Sequence, residues 1–229
     1  MYPDHIALAD HLKQAHAQTW RSIGQAGEFF TGAQRVAFVR SARDALTCQL
    51  CEERKQALSP AAVSGEHDHS GDLPPVVVDM IHRIRTDPGR LTKSWFDDVT
   101  RSVSQQEYAE IVSVVTSSVI IDTMHNAVGL GLPQLPPHEG GKPGGQYNSA
   151  AVEAGAWLPI LDADTTMADT GLPQVPNIVR ALGLVPSAME LFFNTFRPHY
   201  ALKDIDLSIS QGQAEFVAAR VSAINECFY

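Results

Sequence analysis

Ser104-Gln105-Gln106-Glu107-Tyr108-Ala109-Glu110-Ile111-Val112-Ser113-Val114-Val115 opens the most apolar stretch of the chain, which runs on to Val128. By propensity alone its β-branched pairs, Ile111-Val112 and Val114-Val115, suit a strand. Two features decide against one. Ser104 followed three residues later by Glu107 is a capping box, which satisfies the first free amides of a helix. The apolar run then continues well beyond the usual length of a strand. The stretch reads as a helix that is apolar on most sides and therefore central. Gly129, Gly131 and Pro133 end it.

Helical spacing continues outward on both sides. Residues 5 to 26 carry Leu8, Leu12, Ala15, Trp20 and Ile23 near one face and stop at Gly24 and Gly27. A second run, from Gln34 to about Leu58, puts Val36, Val39, Leu46 and Leu50 on one stripe and contains Cys48-Gln49-Leu50-Cys51. Ser59-Pro60 stops it, and a polar loop follows from Ser64 to Asp72. Pro74-Pro75 opens a helix with Val77, Met80, Ile81 and Ile84 inward, and a shorter one carries Trp95, Phe96 and Val99. Residues 133 to 145 are dominated by Pro and Gly and read as an inter-domain linker or a long surface loop. Beyond them lie a helix capped by Pro176-Asn177, another over 187–196, and a last one opened by Ser210 with Gln213. The last helix carries Val217, Val221, Ile224 and Phe228 as its stripe. No stretch alternates with period two. The fold class expected is all-α, with a helical domain over 1–132, a Pro/Gly linker over 133–150 and a helical unit over 151–229.

Composition narrows the function. The chain has 229 residues, enough for a proper core, with 44% hydrophobic and 19% charged residues. Its formal charge of -9, with no Lys/Arg block, argues against nucleic acid and anionic membranes as partners. The N-terminus has no basic and apolar leader, and no apolar run reaches membrane-spanning length, so the expected location is cytoplasmic. Three cysteines in a reducing compartment do not make a disulfide framework. Cys48 and Cys51, three apart on a helix, share a face and can close a disulfide with little backbone movement. Such a pair is redox chemistry, half of a metal site, or coincidence. Cys48, Cys51, His67 and His69 together supply four zinc-type ligands. Their His-x-His spacing is not the usual one, however, and the pair sits on a helix rather than a knuckle. No metal and no cofactor is expected.

The C-terminal stretch adds a second signal. Eleven residues separate Glu215 from Cys227, which lies in the stretch Val221-Ser222-Ala223-Ile224-Asn225-Glu226-Cys227-Phe228-Tyr229. Here the chain resembles the alkylhydroperoxidase AhpD and carboxymuconolactone decarboxylase-like superfamily, in its peroxidase-related branch. Redox members of that family carry Glu, eleven residues, Cys-x-x-Cys, three residues and His. Val175-Pro176-Asn177-Ile178-Val179-Arg180-Ala181-Leu182 is similar to the family's lead-in, and Glu110 through Leu130 to the helix after its cysteine pair. The resemblance implies an AhpD-like helical bundle, one copy plus a partial second copy. Both copies depart from the pattern. The first has Val36 and Lys55 where the family has Glu and His. The second keeps Glu215 and Cys227, and the family's second cysteine would stand after Tyr229, where a UGA codon for selenocysteine read as a stop is one expectation.

What the resemblance implies is hydroperoxide reduction fed by a dithiol donor protein, in a homo-oligomer. Cys51 would be the nucleophile and Cys48 the resolving thiol, with Glu215 and Cys227 the remnant of a second centre. With the family's base missing from the first copy, His67, His69, His82 and His125 are candidates in the same half. His125 on the central helix is the choice, with Glu110 on that helix as relay carboxylate. The alternatives are a non-redox enzyme acting like carboxymuconolactone decarboxylase and a catalytically inactive oligomeric bundle.

Overall fold

A computed structural model describes residues 1–162, 177–199 and 207–224. The described residues form α1 (Asp10–Ile23), α2 (Gly32–Asp44), α3 (Gln49–Gln56), α4 (Pro75–Thr86), α5 (Lys93–Val99), α6 (Gln105–Ala127), α7 (Asn177–Leu182), α8 (Pro186–Phe196) and α9 (Gln211–Ile224). The fold is all-α. Its only β pairing among the described residues is an isolated bridge between Val152 and Ile160.

Helix α6 is the axis, as its sequence demands. Ser104 Oγ accepts from the Glu107 amide at 3.2 Å, and the Glu107 carboxylate accepts from the Ser104 amide at 2.7 Å. Ile111, Val114, Val115 and Ile121 are wholly buried. Helices α1, α2, α4 and α8 pack around α6. The Ser113 hydroxyl donates to the Ala188 carbonyl at 2.5 Å, so α6 carries a polar link to α8 within the core. One apolar cluster joins Phe38, Ile81, Phe96 and Ile111 from the first half of the chain to Leu184, Val185 and Leu191 from the second.

The Pro/Gly segment lies against the bundle as an irregular strap. Trp20 Nε1 donates to the Gln134 carbonyl at 2.9 Å, the Glu139 amide to the Gly24 carbonyl at 2.8 Å, and the Gly144 amide to the Gly27 carbonyl at 3.0 Å. A Cβ at Gly27 would lie 1.9 Å from Glu110 Oε1, so a side chain there would push the carboxylate off the Glu28 and Phe29 amides.

Two expectations are corrected. The helix read as continuous from Gln34 to Leu58 breaks at Ala45–Cys48 into α2 and α3. The polar loop is the cause. The Asp44 carboxylate, at the end of α2, accepts from both the amide and the hydroxyl of Ser70. Asp68 accepts from the Gln49 amide at 2.9 Å and so caps α3 from a distant part of the chain. Leu46 falls in the break and is 51% exposed, out of the stripe that included it. The stripe on the last helix lies on the surface: Phe216, Val217, Val221 and Ile224 of α9 are exposed. Phe228 and Cys227 lie outside the described residues. No described helix is long and apolar enough to cross a membrane.

Candidate functional site

The break in the cysteine helix builds the site. Cys48 becomes the residue that precedes α3, and Cys51 lies in its first turn, so both sulfurs face the same space. Both thiols are free and buried. Asp44 and Asp68 pin the loop 64–72 over this helix start, and the pinning lowers His67 onto the pair. His67 Nδ1 lies 3.5 Å from Cys48 Sγ and 3.5 Å from Cys51 Sγ. From the other side, α4 offers His82, whose Nδ1 is 3.3 Å from Cys51 Sγ. One ligand-capable atom from each of the four side chains falls within 4.8 Å of all the others. The two imidazoles meet edge to face at 4.5 Å.

Behind His67 stands Asp79. His67 Nε2 lies 3.0 Å from Asp79 Oδ1, and Arg54, Arg83 and Trp95 Nε1 donate to the same carboxylate. Burial alone would raise the Asp79 pKa. The hydrogen bonds from His67, Trp95 and Arg54, with the Arg83 charge, outweigh it and hold the carboxyl far below its usual range. An ionised Asp79 takes the proton of His67 Nε2 as its hydrogen-bond donor. Arg54 Nη1, which can only donate, also lies 3.0 Å from His67 Nε2. The tautomer in which Nε2 donates to Asp79 is the one that leaves Nδ1 bare, and Nδ1 faces both sulfurs. Burial pushes the Cys51 thiol up to about 12, and Cys48 beside it adds to the rise; Thr86 and the Arg54 charge work against it without cancelling it. Burial and the nearby His67 bring His82 down to about 4, so it is neutral at neutral pH. A cavity of about 10 Å³ reaches Cys51 between Arg54, His67, Thr86 and Arg90, room for roughly one water. Cys48 does not line it.

His67 and His82, both among the candidate bases, are brought to the dithiol. His69 is exposed on the loop. His125 is not at the thiols: it is buried against the Tyr2 ring at 4.4 Å, with Nδ1 3.2 Å from the Gly131 carbonyl. Glu110 is a structural carboxylate. Its Oε2 accepts from the amides of Glu28 and Phe29 at 3.1 and 2.8 Å, and its Oε1 lies 3.4 Å from Arg35 Nε. Glu215 is exposed on α9 and accepts from Gln211. The residue that spacing did not single out is Asp79. Its signal was Asp79-x-x-His82-Arg83 on a helix, which puts a carboxylate, an imidazole and a guanidinium on neighbouring positions of one face.

No protein-family model, curated protein or solved structure matches the chain.

Proposed function

We propose that the chain is a dithiol oxidoreductase that reduces hydroperoxides at Cys48 and Cys51. The observation that carries this reading is the His67 ring, 3.5 Å from both sulfurs on one nitrogen and 3.0 Å from Asp79 on the other. It supplies the proton relay that Val36 and Lys55 deny to the family's own positions. Cys51 is the attacking thiol, because it touches both imidazoles and borders the cavity.

The steps balance as follows. Cys51 gives its proton to His67 Nδ1, and Asp79 stabilises the imidazolium. A thiol held near 12 is a poor nucleophile without that transfer. The thiolate attacks the distal oxygen of ROOH. The O–O bond breaks, Cys51 becomes a sulfenic acid, and the alkoxide leaves as ROH with the proton from His67. Cys48 then attacks the sulfenic sulfur, a disulfide forms and water departs. A dithiol donor protein reduces the disulfide and is itself oxidised to one. Association with a second copy, which would cover the apolar side chains exposed on α9, belongs to the same reading.

The test is loss of free thiols in the reduced, metal-free protein after one equivalent of an organic hydroperoxide. The reading expects two thiols to disappear together and sulfenic acid to be trapped on Cys51 in Cys48→Ser. Thiols that persist in the folded wild type sink it.

A further inference from the structure

The four side chains at the α3 start have a spacing that a dithiol alone does not need. Around a tetrahedral zinc ion, ordinary Zn–S and Zn–N lengths place a sulfur and a nitrogen ligand about 3.6 Å apart. Three sulfur–nitrogen pairs here measure 3.5, 3.5 and 3.3 Å. The donors come from three separate pieces of chain: the start of α3, the loop 64–72 and the middle of α4. Two cysteine sulfurs and two histidine nitrogens are a ligand set that suits zinc among the divalent ions of biology.

The surroundings agree. His67 presents Nδ1 to the sulfurs while Asp79 holds its Nε2, the carboxylate–histidine arrangement that orients metal-bound imidazoles. His82 is fully buried with its Nδ1 toward Cys51, and its Nε2 has no hydrogen-bond partner among the described residues. The unpaired nitrogen is not the one at the sulfurs: an ion there would meet Nδ1. The local core is too small to hold this corner by itself. Ala45, Cys48, Leu50 and Cys51 form a cluster apart from the main one, with Val63 packed against it among the described residues. This eight-residue polar helix is held by polar contacts, of the Gln49 amide to Asp68, of Arg54 to Asp79 and of Arg90 to the carbonyls of Arg54, Lys55 and Ala57, and an ion at its start would add to them.

We propose that the reduced protein holds one zinc ion through Cys48, Cys51, His67 and His82, and that oxidation of the dithiol releases it. The release rests on the dithiol reading above; the metal site does not. Loading exchanges two thiol protons for the ion: two Cys–SH and Zn²⁺ give the bis-thiolate complex and two H⁺. Oxidation consumes the thiolates: the complex, ROOH and two H⁺ give the Cys48–Cys51 disulfide, ROH, water and free Zn²⁺. A disulfide sulfur is a feeble ligand, so two of the four donors are lost at once. The zinc-bound dithiolate and the metal-free disulfide are then alternating states of one centre.

The experiment uses the whole reduced chain, stripped of metal and titrated with Co²⁺ and then Zn²⁺. Tetrahedral Co²⁺ absorption with thiolate charge-transfer bands, saturating at one equivalent and abolished by Zn²⁺, is the expected result. Cys48→Ser loses charge-transfer intensity, and His82→Ala binds at least about tenfold more weakly; Asp79→Asn, outside the ligand set, weakens binding by roughly 10- to 100-fold. Circular dichroism of each variant separates lost ligation from lost folding, and the wild-type titration stands without any variant. Folded wild type that gives no Co²⁺ spectrum overturns the metal site, whatever peroxide does to its thiols. For the zinc-loaded protein, one equivalent of hydroperoxide is expected to deliver one equivalent of zinc to a chromogenic chelator as two thiols vanish. Zinc that stays bound while the thiols remain reduced overturns the release and leaves the site standing.

Discussion

At the scale of single residues, the chemistry turns on which nitrogen of His67 is bare. Asp79 decides that, because an ionised carboxylate at Nε2 accepts a proton that would otherwise be free to sit on Nδ1. Asp79→Asn keeps the shape and removes the preference, so hydroperoxide-driven thiol loss is expected to slow by about 10²-fold, read by stopped-flow thiol titration. His125→Ala is expected to leave that rate unchanged, since its contacts are with Tyr2 and Gly131. A second histidine group adds to the pH dependence of stability that His82 brings. Tyr2 Oη lies 2.6 Å from His16 Nδ1, and His16 Nε2 lies 2.6 Å from His199 Nε2, with His125 nearby across the Tyr2 ring. Burial, then the neighbouring His199 and His125, lower His16 to about 4 from 6.5. A base whose folded pKa is depressed binds fewer protons folded than unfolded. Stability is therefore full above the unfolded pKa and falls as pH drops from about 6.5 toward 4. Urea unfolding of wild type and His16→Asn at pH 7 and pH 4.5 checks this: the wild type is expected to lose more stability between the two pH values than the variant.

At the scale of elements, α3 exists because other parts of the chain complete it. The helix has eight residues, four of them charged, and Cys48 supplies no side-chain cap. Asp68 does the capping from nineteen positions away, and its negative charge suits the helix N-terminus. Removing it in Asp68→Ala is expected to cost about 1 kcal/mol. Faster amide hydrogen exchange confined to α3, with α6 protected as before, is the signature that distinguishes this local effect from global loss. The same capping bond fixes the loop that carries His67. The expectation of one helix from Gln34 to Leu58 failed for this reason. Its stripe of Val36, Val39, Leu46 and Leu50 was periodic, yet the interruption comes from side chains of residues 44, 68 and 70 meeting in space. Periodicity within a window carries no record of such contacts. By contrast α6 was legible to its capping box, because its cap lies in the same few residues that it caps.

At the scale of the whole molecule, both halves of the chain share one interior. Leu191 on α8 is buried in the cluster that contains Phe38 and Ile111. Leu191→Ala is expected to destabilise the protein by about 2–5 kcal/mol. Far-UV circular dichroism and tryptophan fluorescence, dominated by the helices and by Trp20 and Trp95 near the core, are expected to shift together in a single transition. Two separated transitions would mean that α8 folds apart from α6. Much of this architecture was set by sequence alone: the all-α class, the central α6 with its capping box, the helix opened by Pro75 and the one over 187–196, and the presence of a close dithiol. Those features depend on local periodicity, caps and spacing, which a short window contains. Tertiary structure alone decided that the helix breaks beside Cys48, that His67 and His82 rather than His125 meet the sulfurs, and that Asp79 stands behind them. The four side chains of the centre span residues 48 to 82, and their meeting depends on a polar loop held by Asp44 and Asp68. Hydrogen bonds made across a loop have no period to read, and they form only when the helices on either side are already packed.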